Sequence, residues 1–278
     1  MNFKNYKIIL VFFLSLDILH NSAMAADDYT PLVPLPSIPD YTRGDGWGFA
    51  LGVGVEYEGD YEGSDNYEVE FDPNVTTQYR LGNQMFYQEG VEFAYRNLLN
   101  EEWLITAGAY YEDGLAEDDS EDGFLDGIGD RDDVFSYFAE TKHAFGPSWK
   151  NWVAARFLTG PSDFGWWTEL TAGHRFSDAP DGTGTEAWLY FSYGDSDFLN
   201  RGFGVTAEDA ANSDLEETTL DGGARSVGFF VTDRRILNKN VQLISKLGTE
   251  FYSSEIQESP IARDDYKVEV GTVLVWQF

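Results

Sequence analysis

Residues 266–278 read YKVEVGTVLVWQF, and this stretch decides the fold because bulky side chains alternate along it with small or charged ones. The bulky side chains share one face: Tyr266, Val268, Val270, Thr272, Leu274, Trp276 and Phe278. The opposite face carries Lys267, Glu269, Gly271 and Gln277. A period of two residues is the pattern of a β-strand whose two sides have different surroundings.

The two aromatic residues at the end of this stretch indicate where the strand lies. The termini of soluble domains are usually polar and frayed, so a strand that stops at Phe278 is unusual for a soluble sheet. A C-terminal aromatic residue on an amphipathic strand resembles the signal that the bacterial barrel-assembly machinery recognises. We therefore assign Trp276 and Phe278 to an assembly signal.

Residues 47–57 alternate in the same way. Trp47, Phe49, Leu51, Val53, Val55 and Tyr57 share one face, and Gly48, Ala50, Gly52, Gly54 and Glu56 share the other. In a soluble sandwich the bulky face would lie in a core. In a membrane barrel the bulky face would contact lipid and the other face would surround an interior. The C-terminal signal favours the barrel.

Segments of this kind recur along the chain, separated by Gly, Asp and Asn. The predicted strands are 47–58, 66–72, 74–81, 84–97, 102–113, 133–145, 150–160, 164–176, 185–196, 224–236, 240–253 and 266–278. Bacterial barrels have even strand numbers, which favours a break at Asp72-Pro73-Asn74. We predict an all-β fold, a transmembrane antiparallel up-and-down β-barrel of 12 strands, with 10 as the alternative and one short helix in an outer loop.

Composition excludes several classes of protein. The 278-residue chain has a formal net charge of −31 and no cysteine. Nucleic-acid binding needs clustered Lys and Arg, so this charge argues against it. Without cysteine there are no disulfides and no thiolate metal sites. The mean hydropathy of −0.36 argues against a helical membrane bundle, and 16% aromatic residues argue against disorder.

The N-terminal region predicts export. Residues 1–25 combine a basic start, an apolar run and the small-residue pattern Ala23-Met24-Ala25, as in a cleaved signal peptide. Residues 26–46 are rich in proline and are expected to form an extended periplasmic segment. The barrel then spans residues 47–278. We expect the mature protein to lie in the outer membrane of a Gram-negative cell.

Charged residues of both signs fall on the face predicted to point inward. Those assigned to the lumen are Glu56, Glu92, Arg156, Glu169, Lys246 and Glu250. Interspersed acids and bases can form cross-strand ion pairs that fill a barrel of this size, or they can line a narrow aqueous path. Charge alternation alone leaves both possibilities open.

The outer loop of residues 112–133 contains 11 acids and one base, Arg131. Such a loop repels itself, so we expect it to be extended or mobile unless cations screen it. Part of it resembles the start of a calcium-binding loop, but position twelve would be Gly129 instead of Glu. We therefore predict no metal site and no cofactor.

Catalytic residues are not evident. The predicted mature chain has two histidines, His143 and His174, and both fall near predicted periplasmic strand ends. An outer-membrane lipase or protease would need its base at the extracellular rim. The G-x-S-x-G nucleophile motif is absent from the sequence. We predict that the protein is not an enzyme and assign no catalytic residue.

Three outer-loop segments resemble motifs of the MipA/OmpV family, the MltA-interacting proteins of Gram-negative outer membranes. Residues 57–67, YEGDYEGSDNY, resemble the family signature Y-x-P-D-Y-x-G-S-D-x-Y, with Gly59 in place of its proline. Residues 203–205, FGV, and 259–261, SPI, resemble two further elements. The matching residues are Tyr57, Asp60, Tyr61, Gly63, Ser64, Asp65, Tyr67, Phe203, Gly204, Val205, Ser259 and Pro260.

The resemblance implies a monomeric outer-membrane barrel without enzymatic activity, surrounded by outer-membrane lipid and lipopolysaccharide. One family member is described as a scaffold that joins a murein lytic transglycosylase to a penicillin-binding protein. Other members are described as porin-like or adhesive. We therefore expect an envelope scaffold, with a narrow porin-like channel for small solutes or an adhesin acting through the acidic loops as alternatives.

Overall fold

A computed structural model describes residues 45–146, 149–161, 164–177 and 183–278. The predicted signal peptide, and all of the proline-rich segment except its last two residues, lie outside these ranges. No helix in the described ranges is long and apolar enough to cross a membrane.

Strands dominate the described chain and close into one antiparallel barrel. The order around the barrel follows the sequence, and β1 pairs with β12 to close it. The 12 strands are β1 (Gly46–Gly59), β2 (Tyr67–Leu81), β3 (Gln84–Glu89), β4 (Glu92–Asn100), β5 (Trp103–Glu112), β6 (Val134–Ala144), β7 (Asn151–Thr159), β8 (Trp166–Arg175), β9 (Gly184–Gly194), β10 (Gly223–Asn238), β11 (Val241–Tyr252) and β12 (Tyr266–Gln277). The predicted fold class is confirmed.

The bulky face of each terminal strand lies on the outside of the barrel. Val53 and Leu274 are register partners and are both exposed, whereas Val273 on the other face is buried. The N–H of Phe278 donates to the carbonyl of Phe49 at 2.9 Å, so the last residue extends the seam between the terminal strands. The outer surface is therefore a continuous apolar band of the kind that faces hydrocarbon.

Aromatic rings mark both ends of this band. At one end, the rings of Trp47 and Tyr79 lie 5.1 Å apart. At the other, the rings of Tyr57 and Tyr67 stack at 5.4 Å. Amphipathic rings at two levels of the outer surface fit the two interfaces of a bilayer.

The predicted break at Asp72-Pro73-Asn74 is wrong. These residues lie inside β2, where Pro73 is the register partner of Val53. The missing turn is at Gly90 and Val91, which divide the predicted strand 84–97 into β3 and β4. Gly90 has a φ of +52°, a conformation that glycine adopts at little cost. The strand number was right because one misplaced break replaced one missed turn.

Pro73 is tolerated in β2 because that level of the strand has a neighbour on one side only. β3 pairs with β2 only from Thr76 to Leu81. The carbonyl of Val75 accepts the N–H of Gly90 at 3.2 Å, so Val75 presents its backbone polar groups to the β3 side. Pro73, two residues away, faces the same side above the end of β3, and its missing N–H breaks no ladder bond.

The long outer connections contain short helices: α1 (Ser196–Phe203), α2 (Ala207–Asn212) and α3 (Ser254–Gln257). The Asp195 side chain accepts the N–H of Phe198 at 3.0 Å and caps α1. Thr206 caps α2 by accepting the N–H of Asp209 at 3.1 Å. The expected loop helix after Phe203 is α2, and α1 precedes it.

The outward orientation of β1 generates the first prediction. Val53→Lys places a charge on the lipid face near the middle of the band and should lower the free energy of unfolding by about 2–4 kcal/mol. Gln84→Lys, an exposed change at a strand end, should cost about 0–1 kcal/mol. Urea unfolding in lipid vesicles measures both. Equal effects of the two substitutions would contradict the assigned orientation.

Candidate functional site: the loop lid and the charged interior

The outer connections fold over one end of the barrel. We call residues 60–66, 113–133, 195–222 and 253–265 the loop lid. Its apolar side chains pack into one cluster with residues of the upper barrel wall, including Phe138 and Leu158. Lid side chains that are at most 1% exposed are Tyr61, Leu125, Ile128, Leu199, Phe203, Val205, Ile256 and Ile261. This burial makes the lid a packed unit.

The three family-like segments, distant in sequence, meet in the loop lid. The Tyr61 hydroxyl donates to the carbonyl of Ile261 at 3.4 Å. The Ser259 hydroxyl donates to the carbonyl of Phe203 at 2.5 Å. The carbonyl of Gly63 accepts the N–H of Arg263 at 2.7 Å. The motif residues therefore tie the first, fifth and last outer connections together.

Gly63 is required at its position for two reasons. Its φ is +86°, in the region that favours glycine. A Cβ atom there would lie 3.0 Å from Cα of Ala262 and 3.2 Å from Cε1 of Phe203. A side chain would therefore push the first and last outer connections apart.

Other residues of the first motif shape its turn. Asp60 accepts the side-chain N–H of Asn66 at 3.0 Å and the backbone N–H of Glu121 at 3.1 Å. Ser64 accepts the backbone N–H of Asn66 at 3.0 Å. The Tyr67 hydroxyl accepts the N–H of Val268 at 3.3 Å.

The second motif contacts the acidic loop. The carbonyl of Gly204 accepts a hydrogen bond from Arg131 at 2.8 Å. Arg131 also forms an ion pair with Asp209 at 3.3 Å. Val205 forms an isolated β-bridge with Thr218. In the third motif, Pro260 is half-buried beside Ser259.

Arg263 joins three outer connections. Its guanidinium pairs with Asp65 at 2.7 Å and with Asp122 at 2.5 Å, and it lies 4.5 Å from the ring centroid of Phe124. The hydrogen bond from Arg263 lowers the pKa of Asp122 below its ordinary value. Arg263 was not among the predicted site residues, although it is the lone base of the last outer connection.

The expectation that the acidic loop is extended or mobile is wrong. Leu125 and Ile128 of this loop are buried in the lid cluster. Arg131 within the loop, and Arg263 from outside it, neutralise part of its charge. Apolar anchoring together with these two bases outweighs the self-repulsion that the composition indicates.

Ion pairs link β11, β12 and β1 on the inner face of the barrel. Lys246 lies 2.6 Å from Glu56 and 2.7 Å from Glu269. Lys267 lies 3.0 Å from Glu58 and 3.6 Å from Glu269. Four of these five residues are buried, and Glu58 is only slightly exposed. Buried charges of this kind are tolerated because each has a partner of opposite sign.

The remaining predicted lumen residues also face inward. Arg156 pairs with Glu92 at 3.0 Å and lies 3.9 Å from the ring centroid of Phe138. Glu169 accepts a hydrogen bond from Thr171 at 2.6 Å. These side chains lie in the interior, and their role in conduction stays a prediction.

Glu250 pairs with Arg225 at 2.9 Å, and Arg225 also contacts Glu62 of the loop lid. Simple alternation along β10 would turn Arg225 outward, together with Val227. The register shifts between Ala224 and Ser226, and this irregularity brings Arg225 inside. Arg225 was not predicted to face inward, because a single-residue bulge has no clear sequence signal.

A closed barrel with an apolar outer band, aromatic rings at both ends and charged residues inside defines a transmembrane β-barrel of the outer-membrane type. Residues 51–278 match the family model described as MltA-interacting protein MipA. The chain therefore belongs to this family, as the resemblance of its loop motifs indicated.

Solved structures resemble the chain at low identity. An outer membrane channel from Pseudomonas putida F1 is 11% identical, with a TM-score of 0.50 over 85% of this chain and 97% of that chain. The KdgM porin is 10% identical, with a TM-score of 0.40 over 81% and 97%. The likeness to the Pseudomonas channel shows a shared barrel fold. No curated protein matched the chain by sequence.

The central ion pairs give the second prediction. Lys246→Met leaves Glu56 and Glu269 without their shared base and should cost about 3–5 kcal/mol of stability. Adding Glu56→Gln and Glu269→Gln should recover most of this loss, because none of the three positions then carries a buried charge. Urea unfolding in vesicles measures both variants. A triple variant as unstable as Lys246→Met would contradict this account.

The Arg263 pairs give the third prediction. Carboxyl NMR titration should place the pKa of Asp122 below about 3.9, and Arg263→Gln should return it towards that value. Because the pKa of Asp122 is lowered in the folded state, its ion pair with Arg263 stabilises the folded protein at pH values above the ordinary pKa. This stabilisation is lost as the pH falls through the lowered pKa.

Arg235→Gln is the matched control for this titration. Arg235 pairs with Asp233 outside the loop lid, so the control should leave the pKa of Asp122 unchanged. An identical Asp122 titration in Arg263→Gln and the parent protein would contradict the proposed pairing.

Proposed function

We propose that the protein is a non-enzymatic scaffold of the bacterial cell envelope. In this proposal it is exported by its signal peptide and lies in the outer membrane as a monomer. Its periplasmic side binds murein enzymes, namely a lytic transglycosylase and a penicillin-binding protein. The observation that carries the proposal is the packed loop lid, with buried ion pairs on the inner face of the barrel beneath it.

The packed loop lid and the buried ion pairs favour a scaffold because an open porin needs a continuous water path. Glu92, Glu250 and Glu269 are each at most 2% exposed. Beyond them, Ile256 and Ile261 of the loop lid are fully buried. Water therefore does not reach these side chains. The family description, MltA-interacting protein, also supports a role in protein interaction.

The periplasmic turns are the expected contact surface. The turns between β2 and β3, β4 and β5, and β10 and β11 are short and polar, and they include Asn83, Glu102 and Lys239. Short turns on rigid strands present these side chains at fixed positions. We expect the proline-rich segment 26–46 to add to the same surface.

A narrow channel for small solutes is the second candidate. It is favoured by partly exposed carboxylates on the inner face of β6, β8 and β9: Glu140, Glu169 and Glu186. A path along these strands would pass these carboxylates and the bases Lys142, Arg156 and Arg175 of the same inner face, so its lining carries both signs of charge. The adhesin role predicted for the acidic loops stays a prediction.

Site-specific crosslinking tests the scaffold. A photoreactive residue at position 83 or 102 should crosslink to murein enzymes in intact cells, whereas the same residue at position 118 on the outer loop should not. Mass spectrometry identifies the partners. If positions 83 and 102 give no murein enzyme, or position 118 gives the same products, the scaffold proposal is wrong.

Planar-bilayer recordings separate the two candidates. The scaffold predicts no steady conductance from the purified barrel. A steady conductance that changes in Glu169→Gln would support the channel.

A further inference from the structure

The barrel wall has a notch beside β2. β3 is short, so residues 67–75 of β2 extend past the turn at Gly90 and Val91. In the described residues, no strand pairs with this edge of β2. β5, three strand spacings or about 14 Å away, ends at Glu112, close to the level of this turn. We call this gap the wall notch. It is bounded by residues 67–75, by the turn at 90–91 and by the end of β5.

The wall notch lies at membrane depth. Val69 and Phe71 face outward at its edge and are 69% and 64% exposed. Phe71 is the register partner of Val55, and Pro73 is the partner of Val53, so the edge runs through the apolar band.

An open sheet edge at this depth needs water or another partner for its backbone groups. The floor of the notch is satisfied by protein. The side chain of Gln88 donates to the carbonyl of Val75 at 3.3 Å and to that of Gly90 at 2.6 Å. The N–H of Tyr111 in β5 donates to the carbonyl of Val91 at 3.2 Å and anchors the other side of the turn. Above this floor, the edge beside Val69 and Phe71 has no such cover among the described residues.

The inner side of the notch is acidic. Glu70 and Asp72 lie on the inward face of β2, next to the open edge. Glu89 ends β3 at the floor and also belongs to the inward face, as the register partner of Thr76 and Glu92.

The burial and missing hydrogen bonds of Glu89 indicate a ligand site. It is 5% exposed, and neither of its carboxylate oxygens has a hydrogen-bond partner. Glu92 beside it is held by Arg156 at 3.0 Å. The neighbouring base, Arg96, donates to Thr106 at 3.3 Å and to the hydroxyl of Tyr87 at 3.4 Å. A buried carboxyl group without a hydrogen-bond partner is costly, and a cation from outside would stabilise its charged form.

We propose that the wall notch binds a single-chain cationic amphiphile that enters from the outer leaflet. The apolar chain lies against Pro73 and Phe71, and the positively charged head reaches through the notch to Glu89. Glu70 and Asp72 add attraction and repel anionic amphiphiles. This site is independent of the scaffold role, because it uses the wall of the barrel and not its periplasmic turns.

Hexyltrimethylammonium is a suitable probe, because it carries a fixed positive charge and a short apolar chain. Calorimetric titration of the full-length protein in a non-ionic detergent should show saturable binding. Tetramethylammonium, which lacks the chain, and hexanesulfonate, which has the opposite charge, should each bind at least tenfold more weakly. Absence of saturable binding, or equal binding of hexanesulfonate, would overturn the proposal.

Two substitutions locate the site. Glu89→Gln should weaken hexyltrimethylammonium binding at least tenfold, whereas Glu208→Gln, the same change at an exposed position on α2, should leave it unchanged. Phe71→Ala should weaken binding severalfold, and it provides a second test on the lipid-facing surface if Glu89→Gln does not fold. Heat-modifiable gel migration confirms a closed barrel in each variant. Parent-like affinity in both notch variants would show that the probe binds elsewhere.

Discussion

Hydrocarbon offers no hydrogen bonds, so backbone N–H and C=O groups at membrane depth must find partners within the protein or in enclosed water. The closed barrel meets this constraint by pairing β1 with β12. The pairing fixes the register, and the register fixes which side chains face lipid. Val53 and Leu274 share the outside, whereas Gly271 and Glu56 share the inside. The apolar outer surface and the charged interior are two results of one pairing scheme.

Charges that the pairing scheme turns inward must then be neutralised. Lys246 pairs with two interior acids, Glu56 and Glu269. Arg225 pairs with the interior acid Glu250 and with Glu62 of the loop lid. Through Arg225, the lid and the interior form one connected network. The family motifs lie mainly in this lid, where Gly63 allows two outer connections to approach closely. The structural role of these motif residues is therefore to pack the outer connections together.

Alternation at the two ends of the chain was enough to predict the barrel, since each of these strands has one apolar side. The position of the strand break was not predictable from local sequence. Whether Pro73 interrupts a strand depends on the length of its neighbour β3, which is a property of the register. The folding of the acidic loop depends on Arg263, which is distant in sequence. Arg225 faces inward because of a bulge, so counting by twos misplaces it.

Cysteine-scanning spin labelling of β1 tests the central claim most directly, because the chain has no cysteine of its own. Labels at positions 49, 51, 53 and 55 should be accessible to oxygen dissolved in lipid and protected from a water-soluble nickel chelate. Labels at positions 50 and 56 should show much lower oxygen accessibility. Loss of this two-residue period in a bilayer, or preferential access of the chelate to the odd positions, would contradict the assignment of the bulky face to lipid.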